Sequence, residues 1–224
     1  MKIKNKILLA LLITLLFSGI TITSIWYGTS QSLMDSYLKN MSESTMRDAY
    51  HAFEYLLTDT SYMATLISTN GKNIIDPISN LNRKELSQNG QWNREYLENR
   101  RSILDYIKGM IGYKYYISGI AVAVNEDCIF ATSGIIQDKT TLYREIQKLD
   151  QERLKTSMVM MDPIHLEGLK YTVSSDYVVP AVRGIVDAGG NLAGYVILYF
   201  DYGVIEEMFS ANLPEGSYFQ VVNG

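Results

Sequence analysis

Val178-Val179-Pro180-Ala181-Val182-Arg183-Gly184-Ile185-Val186-Asp187-Ala188-Gly189-Gly190-Asn191-Leu192-Ala193-Gly194-Tyr195-Val196-Ile197-Leu198-Tyr199-Phe200-Asp201 reads as two strands around one turn. β-Branched and aromatic residues dominate 178–186 and 192–200, and 187–191 collects Asp, Gly, Gly and Asn. That order is the signature of an antiparallel hairpin. A short helix is expected directly after it, over 202–209.

Working toward the N-terminus, residues 117–124, Asn125-Glu126-Asp127 and 128–132 predict a second hairpin. Ser133-Gly134 marks a turn, and 171–174 a further strand. Residues 140–158 carry Leu142, Ile146, Leu149 and Leu154 at helical spacing. Residues 93–111 do the same with Tyr96, Leu97, Ile103, Leu104, Ile107 and Ile111, and Gly112 ends the run. The stretch 72–95, with Asp76-Pro77 and Asn89-Gly90, reads as irregular. Helices segregated from hairpin-connected strands indicate an α+β fold with helices packed on one sheet.

Residues 28–69 predict one long helix. Proline is missing from them, and apolar residues recur at Met34, Leu38, Met41, Ala49, Phe53, Leu56, Met63 and Ile67. Asn70-Gly71 is the expected stop. Some 40 residues at ~1.5 Å each span about 60 Å, the length of a stalk. Thr45 and Asp48 interrupt its stripe, so a modest homodimer seam is expected.

Residues 7–27 carry no charge and are apolar almost throughout. About 20 such residues cross a ~30 Å hydrocarbon core as a helix. Lys2, Lys4 and Lys6 precede the run and Lys39 is the next basic residue, which places residues 1–6 in the cytoplasm and 28–224 outside the cell membrane. Trp26 and Tyr27 stand where an interfacial aromatic anchor belongs. A cleaved signal peptide would have a shorter apolar core and a small-x-small site at its end. The bulky Ile25-Trp26-Tyr27 favours an uncleaved anchor.

Of the 20 basic residues, three precede the span, so 17 face 24 acidic residues beyond it. An acidic exported part argues against nucleic acid and anionic lipid as partners. The single cysteine, Cys128, forms no internal disulfide and reads as a small buried hydrophobe. His51 and His165 lie far apart with no zinc-type spacing, and no EF-hand spacing is present. The sequence contains no P-loop, nucleophile elbow, metalloprotease helix or dinucleotide-binding motif. Asn125-Glu126-Asp127 and Glu206-Glu207 read as turn and helix surface. No catalytic residue, metal or cofactor is assigned, and the chain is not read as an enzyme. The 17 tyrosines, each an apolar body with a polar tip, suit half-wet cores and ligand pockets alike. Residues 218–222 read as a strand running into Asn223-Gly224, and the chain is expected to be truncated within a second module.

The order of span, stalk and mixed sheet, with the hairpin quoted above as its most specific part, resembles the Cache family of bacterial extracytoplasmic sensor domains. These are PAS-like sheets flanked by helices. Residues 178–201 are similar to the last hairpin of the distal module of a double Cache domain, and 214–224 to the opening of the membrane-proximal one. The stalk and the 92–110 helix look like the sensor region of YesM-like sensor histidine kinases. The resemblance implies a cytoplasmic tail (1–6), a transmembrane helix (7–27), a stalk (28–69), a sensor module (70–210) and the start of a second module (211–224). It implies a small-molecule ligand, a single membrane span, a homodimer and a two-component type of signal transduction with the transmitter outside this chain.

Family ligands sit on the sheet's outer face. Asp201 matches the family's terminal aspartate, which contacts the ligand's ammonium in amine- and amino-acid-binding members. A carboxylate at the end of a buried strand needs a cation or donors, although Asp201 also stands where an aspartate would cap the following helix. Tyr171, Asp176, Arg183 and Tyr199 complete the candidate set. The family's amino-acid signature carries an Arg-x-x-x-Trp-Tyr-like stretch before the hairpin. Here 149–161 has Arg153 but no tryptophan. The rival class is an exported, membrane-tethered enzyme or adhesion module. Its polar site would have to come from Asp138, Asp162, His165 and Glu167.

Overall fold

The computed structural model describes residues 3–83, 94–112, 114–132, 139–165 and 177–210. Tyr171, Asp176, the 171–174 strand and everything from 211 onward lie outside them. Among the described residues two compact units emerge, one up to Tyr50 and one from His51 to Ser210.

Helix α1 runs unbroken from Ile3 to Ser68. Its first part contains a stretch long and apolar enough to cross a membrane, with its large apolar side chains exposed. Its last third is different. Leu56, Met63, Ala64 and Ile67 are buried in the core of the second unit. Residues read from periodicity as stalk are therefore core residues here. The same 3–4 spacing serves a dimer seam or a sheet face, and only the partner decides which.

After α1 come a one-turn π-helix (Gly71–Ile75), α2 (Asp76–Arg83) and α3 (Arg94–Ile111). The Asn70 side chain accepts from the Asn73 amide at 2.9 Å and opens the π turn. The stretch expected to be irregular is thus partly helical. Asp76-Pro77 starts α2 rather than breaking it, because proline costs no hydrogen bond in a first turn. β1 (Ile117–Ala123) and β2 (Ile129–Ala131) form the expected hairpin. Asn125 Oδ1 shapes its turn by accepting from the amides of Asp127 and Cys128.

The single helix expected over 140–158 is two, α4 (Lys139–Lys148) and α5 (Gln151–Thr156). Asp150 takes extended backbone and its carboxylate accepts from the amides of Glu152 and Arg153, an N-cap that restarts the chain. Two short strands follow, β3 (Val159–Met160) and β4 (Ile164–His165). They are too short to show a period in sequence. β5 (Tyr177–Val186) and β6 (Leu192–Asp201) are the quoted hairpin, and α6 (Tyr202–Ser210) follows. At its turn Asp187 Oδ1 accepts from the Gly189 and Asn191 amides, and Gly190 takes a φ of 81°, open to glycine without strain.

Among the described residues the strands make one antiparallel sheet in the order β2-β1-β6-β5, with β3 and β4 both on the outer side of β5. β6 is central and β5 and β6 pair along almost their whole length. Gly194 is required there, since a Cβ would lie 2.7 Å from the carbonyl oxygen of Ala123 on β1.

Alternation along the strands sends side chains to two faces. One face packs Ile120, Val122, Val179, Ala181, Ile185, Val196, Leu198 and Phe200 beneath α1, α2 and α3. The other packs Ala121, Ala123, Val178, Val182, Tyr195, Ile197 and Tyr199 beneath Leu142 and Ile146 of α4 and Leu154 of α5. Burying each large aliphatic side chain is worth about 1.5–3 kcal/mol, so both layers hold the sheet without a disulfide. Cys128 is buried as expected, and burial pushes its thiol up to about 11, which keeps it protonated and inert at neutral pH.

A polar latch joins α1 to the entry of β1. The Asp59 carboxylate accepts from Lys114 Nζ at 2.6 Å and from the Tyr116 hydroxyl. The Tyr116 ring stacks on Phe200 at 6.2 Å. The Lys114 ammonium, then the Tyr116 hydroxyl, hold Asp59 below the ordinary carboxylate value of 3.8. A lowered carboxylate stabilises the fold above its unfolded value and loses that contribution as pH falls through the folded one. Asp59→Ala also leaves the buried Tyr116 hydroxyl without its acceptor, a cost of about 1–2 kcal/mol. Thermal denaturation against pH should show the full gap between wild type and Asp59→Ala at neutral pH, narrowing only below 3.8. A gap that is constant into strong acid would assign the effect to packing alone.

Candidate functional site

Tyr195, Ile197, Tyr199 and Asp201 project from β6 to the same face of the sheet, the α4/α5 side. Their cross-strand neighbours on that face are small on β1, where Gly119 pairs with Tyr199 and Ala121 with Ile197. On β5, Pro180 pairs with Tyr199 and Val178 with Asp201.

The two tyrosines on this row differ in kind. The Tyr195 hydroxyl donates to Gln151 Oε1 at 2.7 Å and accepts from Gln147 Nε2 at 2.9 Å. Gln151 in turn donates to the carbonyls of Ile146 and Leu149. Those bonds tie α4, α5 and β6 together, and Tyr143 meets the Tyr195 ring edge-on. Tyr195 is structural. Tyr199, four residues on, is 1% exposed and its hydroxyl has no hydrogen-bond partner among the described residues. Burial raises its pKa well above the usual phenol range, so it is a neutral donor and acceptor. A buried hydroxyl with no partner costs about 1–3 kcal/mol and calls for an explanation.

Asp201 closes the row at 4% exposure. Its Oδ1 accepts from the Gly203 amide at 2.9 Å, so it caps α6. His165 and Tyr177, paired across β4 and β5, meet ring to ring beside this corner, and Tyr202 joins Tyr177 at 6.1 Å.

Arg183 is not part of this group. It lies on the α1 face of β5, where its Nε donates to Ser68 Oγ at 3.2 Å. Helix α1 has no basic residue in its last turn, and Arg183 brings a cation to that negative end. Burial lowers its pKa somewhat, yet a guanidinium stays charged. The sequence could not separate it from Tyr199, because the face depends on which residue of the hairpin meets the sheet's register. Of the five sequence candidates, Tyr199 and Asp201 come together, Arg183 stands on the opposite face, and Tyr171 and Asp176 are outside the described residues. Of the residues named for an enzyme site, Asp162 precedes β4, His165 ends it and both are exposed, while Asp138 and Glu167 fall outside the described residues. Among the described residues no acid, histidine or cysteine cluster would hold a metal.

No protein-family model and no curated protein matches this sequence. Solved structures do. A domain of a sensory box/GGDEF family protein from Vibrio parahaemolyticus superposes with a TM-score of 0.52 at 9% identity, over 77% of this chain and 64% of that one. The ligand-binding domain of the Campylobacter jejuni chemoreceptor Tlp3, in complex with L-valine, gives 0.50 at 12% identity over 80% and 65%. The same sensory domain with isoleucine bound gives 0.50 at 13% identity, again over 80% and 65%. The fold is that of these bacterial sensory domains. The sequence expectation of an α+β, PAS-like sheet flanked by helices holds. This chain spans just under two thirds of the length of those structures, and at such identities the likeness extends to the sensory-domain fold alone.

Proposed function

We propose that this chain is the extracytoplasmic ligand-sensing part of a bacterial signal-transduction receptor, held at the membrane by residues 7–27 and binding a small cationic solute. The observation that carries the reading is the Tyr199 hydroxyl, fully buried and unpartnered among the described residues, on the same sheet face as the Asp201 carboxylate. A carboxylate and a neutral hydroxyl on one face make a net negative site that suits an ammonium group, which gains a charge-assisted bond from one and a neutral bond from the other. The family resemblance at Asp201 points the same way. The sensory-domain fold and the apolar segment of α1 support the receptor setting. Homodimerisation, a histidine-kinase transmitter of the YesM-like kind and passage of a helix shift across the membrane belong to the same proposal.

Thermal denaturation of the solubilised chain against a panel of primary amines, amino acids, sugars and dicarboxylates tests it. Ligand at 100 times its Kd stabilises by about 2.7 kcal/mol, which is roughly 5–10 °C for a domain of this size. The expected result is a shift with amine-bearing compounds only, and without turnover. A shift confined to sugars or dicarboxylates would sink the cationic reading, and conversion of the compound would favour a tethered enzyme.

A further inference from the structure

Two lines of contact leave Asp201 and both end on α1. The backbone amide of Asp201 donates to the carbonyl of Tyr116 at 3.0 Å. The side chain of that same Tyr116 crosses to the opposite face of the sheet, stacks on Phe200 and donates to Asp59 of α1, where Lys114 also binds. The second line starts at the Asp201 carboxylate, which caps α6 through the Gly203 amide. Phe209, near the end of α6, meets Phe53 of α1 with ring centroids 5.7 Å apart. Phe53 and Asp59 are six residues apart on one helix, so one aspartate is connected to α1 at two heights.

We infer that Asp201 is the head of a built-in relay in which Tyr116 and α6 carry a change at the β6 site to α1 at Asp59 and Phe53. The inference rests on the proposed binding role of Asp201 for its trigger, but its wiring is independent of any ligand. The physical reason for transmission is that each link is short and directional. A peptide hydrogen bond fixes Tyr116 to β6, ring stacking keeps the phenol from swinging, and the ionic contact at Asp59 sits where α1 is buried against the sheet. A shift of β6 by a few tenths of an ångström either moves Asp59 or breaks one of these bonds. Packed elements respond to such shifts as units, not by smooth deformation.

Coupling along this path is read by hydrogen exchange. Hydrogen exchange of the α1 amides over 53–63 in the full, solubilised chain supplies the measurement, with a cycle of Asp201→Ala, Tyr116→Phe and the double variant. Tyr116→Phe keeps the ring on Phe200 and removes only the bond to Asp59. Asp201→Ala keeps the backbone bond to Tyr116 and removes the α6 cap, so it should raise exchange around Phe53 roughly tenfold; Tyr116→Phe should do so around Asp59, and the double variant should depart from the product of the two because both lines end on one helix. Effects that multiply in the double variant, or an α1 unmoved by Asp201→Ala, would overturn the relay. Should Asp201→Ala fail to fold, Asp201→Ser keeps a capping oxygen and takes its place in the cycle. No ligand enters this experiment, so a negative cycle leaves an amine-induced thermal shift standing, and an absent thermal shift leaves the cycle interpretable.

Discussion

Asp201→Asn should abolish most amine binding while leaving the fold intact. Removing one partner of a buried, hydrogen-bonded charge pair costs about 2–5 kcal/mol, which is roughly 30-fold to several-thousand-fold in affinity. Asparagine caps helices as well as aspartate does, so the bond from the Gly203 amide survives in Asp201→Asn. Asp201→Ala loses both functions and should also destabilise the unliganded protein by about 0.5–2 kcal/mol. The pair of variants separates cap from ligand contact. Calorimetric titration with the amine found in the thermal screen reads the affinity, and thermal denaturation without ligand reads the cap. If Asp201→Asn binds as tightly as wild type, Asp201 is a capping residue only and the cationic site lies elsewhere.

Tyr199→Phe should move stability and affinity in opposite directions. The hydroxyl is fully buried with no partner, so deleting it removes an unsatisfied group and should stabilise the unliganded protein by about 1–3 kcal/mol, or some 2–10 °C in Tm. The same deletion removes a hydrogen-bond partner that the ligand would use and should weaken binding about tenfold, the worth of ~1.4 kcal/mol. Tyr195→Phe is the control. Its hydroxyl joins Gln147 to Gln151, so its loss should destabilise by about 1 kcal/mol and leave affinity unchanged. A Tyr199→Phe variant that is destabilised and binds normally would show that the hydroxyl is satisfied in solution and has no part in recognition. A gain in stability at the expense of function is the usual mark of a binding residue held ready without a partner.

How far the sequence reached differs between fold and site. The quoted hairpin was legible because nine- to ten-residue runs of Val, Ile, Tyr and Phe flank an Asp-Ala-Gly-Gly-Asn turn, and both signals are local. The long N-terminal helix and its apolar span were legible for the same reason. The break at Leu149-Asp150 was not, because apolar spacing continues through it and only the Asp150 cap shows the restart. β3 and β4, two residues each, exist through pairing with β5 and carry no period of their own. The latch of Asp59, Lys114 and Tyr116 joins residues more than 50 positions apart, and nothing at any one of them announces the others.

The sequence by itself determined the chemistry available to this protein: an uncharged apolar stretch over 7–27, an acidic remainder, and a central hairpin ending in Tyr199-Phe200-Asp201. Those follow from composition and from interactions within a few residues, which any chain segment carries wherever it lies. The tertiary structure alone decided which of these groups meet. A one-residue step along a strand reverses the face of its side chain. The register of β1, β5 and β6 therefore put Tyr199 with Asp201, sent Arg183 to the far side with Ser68, and made the end of an apparent stalk into the core.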